Sequence, residues 1–469
     1  MNHFRRAVTF ISLGLLVYIL GGCAAIQKGM LSNSSAVSDS PHVSVFLTLR
    51  STSSNPALLV HIKSIDILSA NGVWLPLKVK TSTLAPQKIG ANQVLLAQSS
   101  LPEGSYSQIR LVLASVTYKD NSIEIVNHKV KLHIMGGTLS LSDSDSKCLF
   151  ISWDAARSLS HNKFNMAAVC KLQSIPLTTE LLYVACPDIN TVFIIRCDNN
   201  WVCGSIGVAG RPSYIDVDSA NKRLYILTSR DDFINIYDIN SYSLIDRISI
   251  PLTVRADFMT VDLKDGYAFL LDSKSNSVAR VDLSSGSVLV NSHVGYQPIY
   301  AQYMPLINRL VVCSTVSQAV YFLDPSTLDV VKTISVSSAP KGVLLWNDLL
   351  YITDSVANSV IIYNINSQET QTRFSVGVDP IRFYQGIGQI YVSNYGSDDI
   401  DILVPGQMGI AKDIAVGNGP QEMACSHIRH WLYVACRGSN DIYVIDPSSA
   451  SVSKIISVGS SPLGLAALQ

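Results

Sequence analysis

The stretch Leu432–Asp446, LYVACRGSNDIYVID, reads as an apolar strand, a polar turn and a second apolar strand, and the same unit recurs seven times from Leu181 onward. The anchor of the first strand falls at Leu182, Leu224, Ala268, Leu310, Leu350, Ile390 and Leu432, so successive copies are 42, 44, 42, 40, 40 and 42 residues apart. One residue after the anchor stand Tyr183, Tyr225, Phe269, Val311, Tyr351, Tyr391 and Tyr433. Eight after it stand Asn190, Asp232, Asn276, Gln318, Asn358, Asp398 and Asn440, and ten after it the residue is always Val or Ile. The second strand usually ends in a carboxylate or amide (Asp238, Asp282, Asp324, Asn364, Asp446), with Arg196 and Val404 as exceptions. A third strand leads into a Val-Gly-x-x-Pro loop at residues 376–380, 416–420 and 458–462, and a fourth strand follows the proline.

A period near 42 residues holding four short strands implies blades stacked around a ring, because one such sheet cannot bury both faces alone. Seven copies suit a closed β-propeller over residues 174–469. Residues 462–468 form a fourth-type strand without a following partner, whereas the first copy lacks one before it. We therefore expect 462–468 to complete the first blade and remove the sheet edges that invite aggregation. The Asn/Asp column is read as turn chemistry rather than a calcium site, since each blade needs its turn held while a cation needs six or more converging oxygens.

Upstream, residues 41–173 show alternating apolar and polar positions in VSVFLTL (43–49), LLVHIKSIDIL (58–68), YSQIRLVLASVTY (106–118) and CLFISWDAARSL (148–159). An Asn71-Gly72 turn and a Pro102-Glu103-Gly104 turn punctuate them. The fold class is thus all-β, an N-terminal β-sandwich followed by a seven-bladed propeller. Arg110 is read as a strand arginine paired with a nearby carboxylate, and Asp154 and Arg157 as a local charge pair.

Before these lie Arg5 and Arg6, an apolar run from Ala7 to Leu20, and Leu20-Gly21-Gly22-Cys23. Residues 1–22 read as a signal peptide, too short for a comfortable permanent span. Residues 23–40 are small, polar and aperiodic, as a flexible tether is. Leu-Gly-Gly-Cys resembles the bacterial lipobox, which implies lipidation of Cys23, export, and anchoring at the outer membrane, facing the periplasm or the surface. Ala24 rather than Asp after the cysteine favours that sorting. Each buried acyl methylene contributes about 0.8 kcal/mol of membrane affinity.

Two further resemblances follow. VWLPL (73–77), LPEGSYSQIRLVL (101–113) and LFISWDAARSL (149–159) are similar to the domain of unknown function 4382 of exported lipoproteins, although Leu49-Arg50-Ser51 replaces that family's acidic turn. LYVA at 182–185 and 432–435 and ISVGSSP at 456–462 resemble the YVTN-type propellers. Such rings serve many roles, so the likeness implies fold more than function.

Lys plus Arg and Asp plus Glu balance at 35 each, leaving no basic field for nucleic acid. Eight cysteines follow Cys23. Export permits disulfides, and Cys197 with Cys203, or Cys148 with Cys170, are the pairs to test against the alternative of reduced, buried thiols. No metal is expected: C-x-x-C is absent, and Cys425, His427 and His430 lack a fourth ligand nearby. H-E-x-x-H, G-x-S-x-G, Walker and dinucleotide motifs are also absent, and no cofactor is expected.

The ring's mouth, where the Asn-bearing turns meet the proline loops, is the expected binding face. Arg211, Tyr214, Arg255, Asp257, Tyr300, Lys341, Arg382 and Glu422 are its candidate ligand residues, with charge pairing across blades as the competing role. The leading expectation is a non-catalytic, membrane-anchored binding or scaffold module for a protein, peptide or glycan. The alternative is a lactonase-like hydrolase or an oxidoreductase working in the channel. Function must lie where the seven copies differ, after each proline and at turn residues such as Cys436 and Arg437.

Overall fold

A computed structural model describes residues 40–50, 55–174, 179–250 and 256–468. The expected signal segment (1–22), the expected tether (23–40) with Cys23, except for Ser40, and Arg255 lie outside the described residues. Asp39 to Gln469 form one compact unit containing both β modules.

In the N-terminal module, one layer runs Ala167–Leu172, Ser146–Asp154, His42–Leu49, Val94–Ser100, and the other runs Trp74–Leu77, Leu58–Ser69, Gly104–Tyr118, Lys129–Met135. The sandwich is continuous along one edge, where Cys170 pairs in parallel with Ile134. It nearly closes along the other, where Val79 bridges Ala97 and the Lys80 N–H donates to the Leu96 carbonyl at 2.8 Å. The result is close to a barrel around Trp153, Phe164 and Tyr106. The Trp153 indole N–H donates to Ser158 Oγ at 2.9 Å, which satisfies its one polar atom inside the core. Arg110 pairs with Asp66 through Nε and Nη2 at 3.0 and 2.9 Å and lies 4.3 Å over the Trp74 ring. Arg157 pairs with Asp154 at 3.5 Å.

The C-terminal module is a ring of seven four-stranded antiparallel sheets. In the second blade the strands run outward from the channel as Pro212–Asp218, Arg223–Thr228, Phe233–Asp238 and Leu244–Ser249. The first blade takes its innermost strand, Leu465–Ala467, from the far end of the chain, with Val184 opposite Leu465 and Leu182 opposite Ala467. In six of the seven blades an aromatic side chain one residue after the anchor fills the space between blades, with Val311 in the fourth: Tyr183, Tyr351 and Tyr433 are fully buried.

The Asn/Asp column does more than close its own turn. All seven residues have φ between 49° and 64°, the left-handed region that Asn and Asp tolerate best. In six blades the side-chain oxygen accepts a backbone N–H from the loop entering the next blade: Arg211, Ala256, Gln297, Asp379, Gly419 and Ser461, at 2.8–3.0 Å. Each is therefore a clip between neighbouring blades. Gln318 is the exception. There the corresponding N–H, of Ala339, donates to Asp354 at 3.2 Å instead. The second-strand column behaves as local Asx turns: Asp238, Asp282, Asp324 and Asn364 each accept N–H groups two and three residues on.

The two modules share a seam at the junction of the last and first blades. Along His42–Leu49, Val43, Val45 and Leu47 enter the N-terminal core while Phe46 points the other way, into a cluster with Phe193, Ile195 and Val458. Period-2 alternation thus sorts one strand between two cores. Phe46 stacks on Phe150 at 5.9 Å and meets Phe193 edge-on at 6.2 Å. Glutamines satisfy the polar groups around this cluster. Gln93 exchanges two bonds with the Val202 backbone at 2.9 and 3.0 Å, Gln173 does the same with Ser205 at 3.1 and 3.2 Å, and Gln98 donates to the Val458 carbonyl at 3.1 Å. Lys80 Nζ donates to the Gly459 carbonyl at 3.0 Å.

Both expected disulfides are corrected by this geometry. Cys170 lies opposite Ile151, not Cys148, and the two sulfurs face different cores: Cys170 the N-terminal one, Cys148 the seam. Between the strands carrying Cys197 and Cys203, the register slips at Ile194/Ile195, and Cys197 packs on the seam side while Cys203 packs toward the second blade. All eight described cysteines are free thiols.

Candidate functional site

In six blades a loop proline leads into the innermost strand, and Ala256 takes its place in the third blade; side chains two residues beyond that position form one level of a ring around the channel. Across blades two to seven that level holds Tyr214, Phe258, Tyr300, Gly342, Arg382 and Glu422, and Gly464 supplies the first blade. The two glycines are there because the neighbouring backbone is too close for a side chain. A Cβ on Gly342 would approach the Ile381 carbonyl oxygen at 2.5 Å, and one on Gly464 would collide with that of Ser213.

Arg382 reaches across this level. Its Nε donates to Glu422 Oε1 at 2.7 Å, and Nη1 donates to the carbonyls of Lys341 at 2.6 Å and Ile381 at 3.1 Å. Its guanidinium lies 4.4 Å over the Tyr300 ring and 5.7 Å from Phe258, while Tyr214, Phe258 and Tyr300 form an edge-to-face arc with centroids 4.4 and 4.9 Å apart. The guanidinium thus touches blades three to seven and divides the channel into an upper and a lower vestibule. Burial alone would lower the Arg382 pKa. The Glu422 carboxylate and the Tyr214 and Tyr300 hydroxyls outweigh it and hold the group above its ordinary value. Burial pushes the Tyr214 hydroxyl up to about 12.

The upper vestibule is a cavity of about 410 Å³ at the face carrying the blade clips. Arg211, Tyr214, Asp257, Lys341, Arg382 and Glu422 all line it. Tyr300 belongs to the dividing level and opens toward the lower vestibule. The charges expected at the mouth are mostly paired across blades: Arg211 with Asp188 at 2.9 Å, Lys341 with Asp379 at 2.6 Å, Arg382 with Glu422. Asp257 accepts the Ser273 backbone N–H at 3.2 Å and the Ser273 hydroxyl. Two lining groups stand apart from this network. Arg437 has no side-chain partner among the described residues, and the Gln421 amide oxygen is buried without a donor. The Tyr395 ring, 40% exposed, stands beside them. Gln421 was legible as the residue following a proline, in the same register as Lys341, and Asp379 as the residue preceding one. Tyr395 carries no such signal.

Cys425, His427 and His430 line the lower vestibule. Among the described residues no group of three or more His, Cys, Asp or Glu side chains is gathered to hold a metal ion.

Residues 37–172 match the family described as domain of unknown function DUF4382. No curated protein matches the chain. Among solved structures, a functionally unknown protein from Desulfotomaculum acetoxidans is similar at 10% identity and a TM-score of 0.55, covering 62% of this chain and 99% of that one. A putative 6-phosphogluconolactonase from Bacteroides fragilis is similar at 13% identity and a TM-score of 0.53, covering 63% of this chain and 100% of that one. The dihydro-heme d1 dehydrogenase NirN is similar at 11% identity and a TM-score of 0.48. Here 60% of this chain is covered and 64% of that one, so the chain spans less than two thirds of NirN. For the Desulfotomaculum and Bacteroides proteins, at these identities, the likeness is one of fold.

Proposed function

We propose that this chain is a lipid-anchored protein of the bacterial cell envelope whose propeller binds a polar ligand carrying an acidic group at the upper vestibule, without transforming it. The observation that carries the reading is Arg437, a cation that finds no carboxylate partner among the described residues, in the same cavity as the Gln421 oxygen, which finds no donor among them, while the cavity's other cations are neutralised. An acidic peptide or glycan offers the two things missing there, an anion and a neighbouring N–H or O–H. Tyr395 adds an exposed ring against which such a ligand packs.

Isothermal titration of the purified chain with an acidic oligopeptide and an acidic oligosaccharide tests this. One of them should bind, and Arg437→Ala should weaken it about tenfold, the scale of one charge-assisted hydrogen bond. Binding of neither, or binding indifferent to Arg437→Ala, overturns the reading. The competing reading, hydrolysis in the channel, draws on the fold shared with a putative 6-phosphogluconolactonase. Turnover of 6-phosphogluconolactone that disappears on Glu422→Gln would establish it in place of ours.

The anchor rests on Cys23 and its setting after the apolar run. No helix among the described residues is long and apolar enough to cross a membrane. Cys23→Ser should release the protein from the membrane fraction or leave its precursor uncleaved; membrane retention of a cleaved form would refute lipidation.

A further inference from the structure

Two residues below the dividing level, the same alternation produces a second ring of inward side chains. Blades two, three and four contribute Asp216, Thr260 and Gln302, all polar. Blades five, six, seven and one contribute Leu344, Tyr384, Ala424 and Ala466. The lower vestibule is therefore two-sided, with oxygen acceptors along one arc and an apolar wall along the other.

It is roomy enough for an organic molecule. Two cavities adjoin there, one of about 590 Å³ lined by Gln302 and Leu344 and one of about 540 Å³ lined by Asp216, and they share Tyr384, Met423, Cys425 and His427 as a common wall that a ligand bridging the two acceptors would lie against. Its acceptors are under-used. The Gln302 amide oxygen is buried and finds no donor among the described residues. Asp216 accepts only the Val217 N–H, at 2.8 Å through Oδ1, so its second oxygen takes no donor from the described residues. A buried acceptor such as the Gln302 oxygen is costly to leave unpaired, and a donor-rich ligand group relieves that cost. Nearby charges do not fill the role. Asp218 is committed to Asn221, bonding both its backbone and its side-chain nitrogen. Lys264 and His427 are exposed at the outer edge.

We propose that the lower vestibule is a second ligand site, for an organic amine whose protonated nitrogen sits between Asp216 and Gln302 and whose apolar body lies against Leu344 and Tyr384. An ammonium group supplies up to three donors and the opposite charge to Asp216, and it needs the low-dielectric wall to make that pairing strong. The site is separate from the upper vestibule, because Arg382 and its partners stand between them.

Burial pushes the Asp216 carboxyl up to about 6, with the backbone N–H of Val217 opposing the shift and Asp218 adding to it. The other titratable groups lining the two cavities are Asp218, Lys264, Tyr300, Tyr384, Tyr391, Glu422, Cys425, His427 and His430. Amine affinity should therefore be full above pH 7 and fall as the pH drops through about 6, where the carboxylate takes up a proton while the amine stays charged.

The probe is 2-phenylethylamine, titrated into the full chain by calorimetry at pH 7.5, with 3-phenylpropionate as a ligand of similar body and opposite charge. Saturable binding of the amine, at least tenfold weaker for the acid and for Asp216→Asn, is the expected result. Gln302→Leu keeps the volume and removes the donorless oxygen, so it should fold normally and weaken the amine severalfold. It decides the matter even where Asp216→Asn fails to fold. No saturable amine binding, equal binding of the acid, or full affinity in either variant would overturn the proposal.

Discussion

Arg382 Nε and Glu422 Oε1 lie 2.7 Å apart and tie the sixth blade to the seventh across the middle of the channel. The two side chains are 11% and 19% exposed, so neither charge is compensated by bulk water. Two functions coexist in that pair: it braces the ring, and it floors the upper vestibule.

Removing one partner should expose the cost of the other. Glu422→Leu leaves the Arg382 guanidinium without its anion and should destabilise the chain by about 3 kcal/mol, whereas the double variant Arg382→Met, Glu422→Leu should recover most of that loss. Thermal unfolding of the two singles and the double checks this. A double variant no better than the worse single would show that the pair is not the unit of stability.

The blade clips separate two effects at one position. Asn358 has φ 49° and its side-chain oxygen accepts the Asp379 N–H at 2.9 Å. Asn358→Gly keeps the backbone at ease but loses the bond, about 1 kcal/mol. Asn358→Ala loses the bond and adds the left-handed penalty, about 1 kcal/mol more. Unfolding midpoints should order as wild type, then Gly, then Ala. Gln318→Ala should lack the lost-clip component, since the Ala339 N–H is held by Asp354.

At the seam, Gly207 is the position of closest approach. A Cβ there would collide with the Ser144 carbonyl oxygen and come within 2.6 Å of the Ser146 nitrogen, both backbone atoms that cannot swing aside. Gly207→Ala should part the two modules locally, which faster amide exchange at Trp201–Gly207 and Ser146–Asp154 would register. Gly266→Ala, where the space is open and φ is 74°, should strain only its own turn and leave exchange at the seam unchanged.

The acid limb of stability should be set by the outer turns. Asp238 and Asp324 are held below the ordinary carboxylate range chiefly by backbone N–H groups, of Ser241 and Ser326, and Asp282 and Asp446 chiefly by the hydroxyls of Ser284 and Ser448. A carboxyl that binds its proton less readily when folded stabilises the fold fully above its unfolded pKa of about 4 and loses that contribution as the pH falls through the lowered native value. Replacing all four with Asn, the residue the fifth blade already uses at Asn364, should keep the turns and flatten the decline in unfolding midpoint between pH 4 and pH 2.

What the sequence revealed and what it hid divide along range. The period, the strands and the channel residues after each proline are local patterns, and a repeat displays them seven times over. The partners are not local. Nothing near Gln98 announces Val458, nor anything near Gln93 the backbone of Val202, and Phe46 looks like one more apolar residue until its neighbours Val45 and Leu47 are seen to face the other core. The Asn column was visible as turn chemistry, but its acceptors reach the next blade, 21 residues on in five of the six clips. The disulfide expectations failed because proximity along a hairpin says little about which face a side chain occupies once the register slips. In the upper vestibule the charged residues were legible; the partnerless state of Arg437 and of the Gln421 oxygen was not, because an absent neighbour leaves no trace in a sequence.

The strand Leu465–Ala467 gives the ring a chronology. On a chain made from its N-terminus, the first blade begins before any other and is finished after all of them, its Leu181–Cys186 edge open to the wrong partner throughout. In the finished fold that same blade is packed through Phe193 and Ile195 against Phe46 of the N-terminal module, so the blade that waits longest draws its partners from both ends of the chain.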